Sequence, residues 1–168
     1  SATVTDSSGN VSTVADSTNA TLDNHSPGSA SGTLSVAESA INDSSVGTVS
    51  ALDGSIYSLT LDAGGRFAIA SGTGLVTVAN TTLLDFETNT SHNITVQVTD
   101  VAGNTSDTVL AVTITDTNDT PVVVTNTGLT LNEEAQATIS GAQLTISDVD
   151  NTATETVFTL TTIPVNGF

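Results

Sequence analysis

The chain has no cysteine, no methionine and no tryptophan, and Arg66 is its only Lys or Arg. Each absence closes off a chemistry. Without cysteine there is no disulfide, no thiol nucleophile and no thiolate metal site. One basic residue stands against 18 Asp and Glu, for a formal net charge of −17. Phosphate backbones are bound by basic surfaces, so nucleic acid is not a partner, and an anionic bilayer repels the same charge. Aromatic residues make up 3% of the chain, too few for a stacking platform that grips sugars. No apolar run is long enough to span a bilayer, so direct membrane insertion of this segment is not expected. Neither a Gly-x-Ser-x-Gly elbow nor a His-Glu-x-x-His helix is present, and the expectation is a protein that is not an enzyme.

What is there is Thr, Ser, Val, Asn, Asp and Gly. Thr and Val suit a pleated surface, whereas Asp, Asn and Gly suit turns. Hydrophobic residues are 37% of the chain and they alternate with polar ones, which separates this acidic sequence from a disordered one. Tyr57, Leu59 and Leu61 alternate strictly. So do Ile94, Val96 and Val98, and Val112 and Ile114. Further short strands are read at Ser45 to Leu52, with Val46, Val49 and Leu52 inward, at Arg66 to Ile69 and at Leu75 to Val78. Turn residues separate them: Asp62 to Gly65, Ser71 to Gly74 and Ala102 to Asn104. Nothing sustains a helical period. The expected fold class is all-β, a Greek-key β-sandwich.

The sequence also repeats itself. Val4-Thr5-Asp6-Ser7-Ser8-Gly9-Asn10 returns as Val98-Thr99-Asp100-Val101-Ala102-Gly103-Asn104. Leu34 to Glu38 returns as Leu129 to Glu133, and Asp53 returns as Asp148. The spacing is about one small sandwich in each case, which implies tandem domains. The expected organisation is the last strands of an upstream repeat plus linker over 1–25, a complete domain over 26–120, and the opening of a following repeat over 121–168. Ser26 to Gly32 reads as a linker and Pro121 marks the second junction. Ser1 opens in mid-pattern, as expected of a piece of a longer secreted chain.

Several motifs resemble the cadherin repeat in the order that family has them. Glu38 closes a first strand, Leu34-Ser35-Val36-Ala37-Glu38. Val46-Gly47-Thr48-Val49-Ser50-Ala51-Leu52-Asp53 follows, then Phe67-Ala68-Ile69 and Leu84-Asp85-Phe86-Glu87. Ile94 to Asp100 comes next, and Asp116-Thr117-Asn118-Asp119-Thr120-Pro121 resembles the interdomain junction motif, one residue tighter. The likeness covers about residues 32–121. Residues 1–23 resemble the end of bacterial Ig-like repeats, and 122–168 resemble the opening of another cadherin-like repeat. The mixture is similar to large bacterial surface adhesins of the biofilm type.

That resemblance implies calcium. Ca²⁺ takes six to eight oxygen ligands from carboxylates, amides and carbonyls. Glu38 would come from the first strand, Asp85 and Glu87 from the mid-domain loop, Asp116, Asn118 and Asp119 from the linker, and Asp148 and Asp150 from the following domain. Alternate residues of an extended Asp-x-Asp face one way, so both carboxylates can serve one site. Asp53 and Asp100 would face the upstream junction. Ser55 replaces the second Asp there and the linker motif is incomplete, so fewer ions are expected at that end. Outside these positions the plain reading holds. Asp6, Asp16, Asp43, Asp62 and Asp107 are solvated, and so are Glu133 and Glu134, for which a further junction is the alternative. Asp6 and Asp100 can also cap tight turns. His25 and His92 are surface histidines, and Arg66 pairs with a surface carboxylate.

The implied function is a calcium-rigidified extender of an extracellular cell-surface adhesin, supporting adhesion or biofilm formation. Its partners are neighbouring repeats of the same chain, with another cell-surface protein or a glycan as further candidates. Two alternatives stand beside it: a module that itself binds a glycan or protein, and an inert stalk that needs no metal.

Overall fold

A computed structural model describes residues 3–13, 23–52, 56–132, 135–152 and 154–159. Among these, the alternating segments become strands and no α-helix forms. The strands are β1 (Thr3–Thr5), β2 (Val11–Thr13), β3 (Leu34–Ala37), β4 (Ser45–Thr48), β5 (Ile56–Leu61), β6 (Phe67–Ile69), β7 (Leu75–Val78), β8 (Ser91–Thr99), β9 (Thr105–Thr115), β10 (Val122–Asn126) and β11 (Leu144–Ser147). One short 3-10 turn, Thr81–Leu83, lies between β7 and β8.

Strands β3 to β9 build a sandwich. One sheet has the order β3-β9-β8-β5 and the other β4-β7-β6. The chain crosses repeatedly between the two sheets, which is Greek-key winding. Ile94, Val96, Val98, Val112 and Ile114 point inward from the longest hairpin and are completely or almost completely buried. They meet Val46, Val49, Phe67, Val76 and Val78 of the facing sheet. The inward positions expected of β8 and β9 are therefore the observed ones. Burying that many aliphatic side chains, at about 1.5–3 kcal/mol each, is the main force holding the sandwich.

Other expectations are corrected. In β5, Tyr57 is buried, but the register slips between Leu59 and Leu61, and Leu61 is 49% exposed. A bulge inserts one residue and turns the following side chain to the other face. Leu52 is 77% exposed, because the strand containing Val46 ends at Thr48. Arg66 does not take a carboxylate. Its Nε donates to the Leu83 carbonyl (2.9 Å) and a terminal nitrogen to the Ala63 carbonyl (2.7 Å). His92 is half-buried against Phe67, with ring centroids 6.4 Å apart, and its Nε2 is enclosed without a hydrogen-bond partner. It occupies the inward phase of β8, shared with Ile94. His25 is exposed as expected.

One pairing decides where the acidic residues go. β3 runs parallel to β9, from Leu34 beside Val112 to Ala37 beside Thr115. All other described pairings are antiparallel. Parallel partners end at the same end of a sheet. The residues following β3 and β9, Glu38 and Asp116, therefore emerge side by side.

Two further strand pairs lie outside the sandwich sheets: β1 with β2, and β10 with β11. The β1–β2 turn repeats the β8–β9 turn bond for bond. Asp6 Oδ1 accepts from the Ser8 and Asn10 amides and Oδ2 from Asn10 Nδ2 (3.0 Å). Asp100 Oδ1 accepts from the Ala102 and Asn104 amides and Oδ2 from Asn104 Nδ2 (2.9 Å).

Candidate metal centre

Glu38 organises the end of the sandwich. Its amide extends the parallel pairing by donating to the Thr115 carbonyl (3.1 Å). Its carboxylate reaches two other segments. Oε1 accepts from the Thr117 amide (2.9 Å) and Oε2 from the Phe86 amide (2.6 Å). One side chain thus ties the end of β3 to the β7–β8 loop and to the segment after β9. Phe86 precedes Glu87 and Thr117 follows Asp116, so the same two bonds bring those carboxylates in.

The result is a cluster. Oxygens of Glu38, Glu87 and Asp116 lie within 4.8 Å of one another. Glu38 is half-buried and the other two are exposed. The β7–β8 loop is held in place from behind. The Asn80 side chain caps the 3-10 turn through the Thr82 amide, the Asn42 side chain accepts from the Thr81 amide (2.8 Å), and the Thr81 hydroxyl donates to the Ala40 carbonyl. Asp85 closes the loop, taking the Thr88 amide on Oδ1 (2.7 Å) and the Thr88 hydroxyl on Oδ2 (2.8 Å). These two bonds, the amide bond first, hold the Asp85 carboxyl below its ordinary value.

Glu38, Asp85, Glu87 and Asp119 line one open cleft, joined by Ser39, Leu84 and Val149. The β11 side enters through Asp150, whose Oδ2 accepts from the Asp119 amide. Asn118 Nδ2 donates to the Asp119 carbonyl (2.7 Å). Asp148 stands behind. Its Oδ1 accepts from the Asp150 and Asn151 amides (3.0 and 2.8 Å), while its Oδ2 is enclosed with no partner. An enclosed carboxylate oxygen without a donor is an unmet demand for positive charge or a proton.

The electrostatics agree with the geometry. Asp119 is raised above the ordinary aspartate value, first by partial desolvation and then by the charges of Glu38, Asp150, Asp85 and Asp116. Glu87 feels a lowering bond from its own backbone. It is nevertheless raised, because desolvation and the charges of Glu38, Asp150 and Asp116 outweigh that bond. The one Arg of the chain is committed to carbonyls elsewhere. The chain therefore offers this cluster no Lys or Arg partner. An all-oxygen, carboxylate-rich donor set is what Ca²⁺ takes, and it suits neither a thiophilic nor an imidazole-seeking metal.

The remaining positions fall elsewhere. Asp100 sits at the far end of β8 and β9, where its oxygens serve the turn described above, with the Asn104 side chain the largest cause of its lowered pKa. Asp53 lies outside the described residues. Motif order did not reveal the Phe86, Thr117 and Thr88 amides that position the carboxylates. Their signal was only adjacency to Glu87, Asp116 and Asp85.

Residues 121–168 match the family model described as cadherin-like. No curated protein matches the chain. Among solved structures, the chain is similar to protocadherin gamma B2 extracellular cadherin domains 3–6, with 28% identity, 58% of this chain covered and a TM-score of 0.46. It is similar to mouse cadherin-23 EC22–24, with 22% identity, 60% coverage and a TM-score of 0.48. It is similar to human protocadherin-24 EC1–2, with 24% identity, 54% coverage and a TM-score of 0.47. The matches cover 24%, 36% and 44% of those chains, less than half of each. Among the described residues, no helix is long and apolar enough to cross a membrane.

Proposed function

We propose that this chain is a calcium-rigidified extender from an extracellular cell-surface adhesin, serving adhesion or biofilm formation. Residues 26–120 would be the complete repeat, 1–25 the end of the one before and 121–168 the start of the next. The observation that carries this reading is the convergence of Glu38, Glu87 and Asp116 from three separate segments. The cadherin-like match over 121–168 supports the tandem arrangement.

Glu38, Glu87 and Asp116 would hold calcium at the centre. Asp85, Asn118, Asp119, Asp148 and Asp150 would complete its shell. Calcium supplies the positive charge the cluster lacks. Ligands before and after the 116–120 segment make bending that segment costly, because bending would break coordination. Calcium that binds only the folded state also stabilises it by mass action, about 2.7 kcal/mol at a hundredfold excess over Kd.

The test is thermal unfolding in millimolar calcium and in excess EGTA. Calcium should raise Tm, and Asp116→Ala should abolish most of the rise. An identical Tm in both conditions would sink the metal reading and leave an inert stalk or a module that itself binds a glycan or protein.

A further inference from the structure

The two ends of the sandwich are built from unlike chemistry. At the β8–β9 turn, the Asn104 side chain donates to the Asp100 carboxylate (2.9 Å) and also to the backbone carbonyl of Asp23 (3.2 Å). An amide carries two N–H donors, so one can close the turn while the other holds the incoming linker. Asp100 Oδ1 fixes the turn through the Ala102 and Asn104 amides, which aims the Asn104 amide outward. The linker is shaped to be held. The Asp23 carboxylate accepts from the His25 amide (3.0 Å), Ala30 is buried with its amide on the Thr108 hydroxyl (3.1 Å), and Ser31 pairs with Ser50.

The sequence register explains why direct bonds are used here. The offset that sets Asp6 on Asp100 also sets Thr21 on Thr115, Asn24 on Asn118, Ser26 on Thr120 and Pro27 on Pro121. Under it, Leu22 takes the place of Asp116 and His25 that of Asp119. On the receiving side, Ser55 stands where the later repeat has Asp150. The upstream linker is therefore the same segment stripped of carboxylates at those positions.

We infer that the Asp100–Asn104 turn acts as a clamp for linker residues 23–25 of the same chain, a contact made by direct hydrogen bonds that needs no metal ion. This goes beyond the calcium reading and stands on separate residues.

The chain lacks cysteine, so paired spin labels can be placed without background. One pair, Ser8→Cys with Ser58→Cys, spans the upstream joint. The other, Ser58→Cys with Thr138→Cys, spans the downstream one. Distance distributions are measured in calcium and in EGTA, with Tyr57 fluorescence reporting the folded core. EGTA should leave the upstream distribution unchanged. Asn104→Ala should widen it in both conditions, whereas Gln97→Ala, which removes the Gln97–Asp107 side-chain bond on the same hairpin, should not. If Asn104→Ala unfolds the core, Asn104→Ser replaces it, because a hydroxyl has one donor and cannot serve Asp100 and Asp23 together. An upstream distribution that widens in EGTA, or that ignores the Asn104 substitution, overturns the inference. A downstream pair that ignores EGTA counts against the calcium reading alone, since the Asn104 arms contain no metal term.

Discussion

Glu87 shares its surroundings with the negative charges of Glu38, Asp150 and Asp116, and under the proposed calcium binding it should have opposite effects with and without the ion. In EGTA its charge opposes folding, so Glu87→Gln should raise Tm. In calcium the same change would remove a proposed ligand, and binding should weaken roughly tenfold or more. Calorimetry in the two conditions reads both signs, and a substitution that lowers Tm in EGTA would contradict the repulsion. The pH dependence follows from the same direction. A carboxyl whose folded pKa is raised opposes folding above that value and ceases to do so once it is protonated. Glu87 and Asp119 therefore favour the calcium-free fold as pH falls from neutral toward the carboxylate range, whereas Asp85 and Asp100, held low, lose their contribution only at more acid pH. His92 acts on the alkaline side of that window. Burial, and then the charge of Arg66, lower its pKa, so the unfolded chain takes up a proton that the folded one refuses. Stability should fall between about pH 7 and pH 5 for that reason. In His92→Leu, denaturant midpoints should lose that slope, and an unchanged slope would show that His92 is not its source.

At the scale of elements, close approach between strands and loops sets the tolerances. Gly74 precedes β7 with φ +69, and a Cβ there would stand 2.2 Å from the Val49 carbonyl oxygen. Its own carbonyl accepts from the Val49 amide (2.9 Å), so neither chain can retreat without breaking that bond. Gly74→Ala should cost about 2 kcal/mol or more, combining steric and positive-φ strain. Gly72, in the same turn, has open space around its missing Cβ, and Gly72→Ala should stay within about 0.5 kcal/mol. Equilibrium denaturation of the pair separates a local clash from a general dislike of alanine in this turn. The parallel edge pairing of β3 with β9 belongs to the same scale. It seats Leu34 and Val36 beside Val112 and Ile114 in the core, and it also delivers Glu38 to Thr115 and so sets the geometry of the acidic cluster.

For the whole molecule, a net charge of −17 with a single Arg makes self-repulsion a standing cost of compactness. Screening reduces it, since the Debye length is about 8 Å at 0.15 M salt and about 3 Å at 1 M. In EGTA, raising sodium chloride over that range should raise Tm. In millimolar calcium the same titration should do much less if calcium binds as proposed, because the densest charge would then be compensated. A chain whose Tm falls with salt in EGTA would show that attractive pairs, and not repulsion, dominate its electrostatics.

Alternation and turn chemistry were enough to place the strands from Ile94 to Ile114 and to orient their inward faces, because a strand with one buried face has a two-residue period that sequence displays directly. The Asp6 and Asp100 turns were equally readable, since an Asp separated by two residues from a following Gly-Asn pair or, as at Asp100, from the same pair can satisfy its own neighbouring amides. The acidic residues could be nominated as ligands by their resemblance to a known family, but not assembled. Glu38, Glu87 and Asp116 are distant in the chain, and only a parallel pairing and two amide bonds to one carboxylate bring them within reach of each other. The bulge that exposes Leu61, the enclosure of His92 and the capture of Arg66 by carbonyls were likewise decided by packing. A local pattern specifies which face a residue prefers, while register, strand order and competing partners determine what it finally touches.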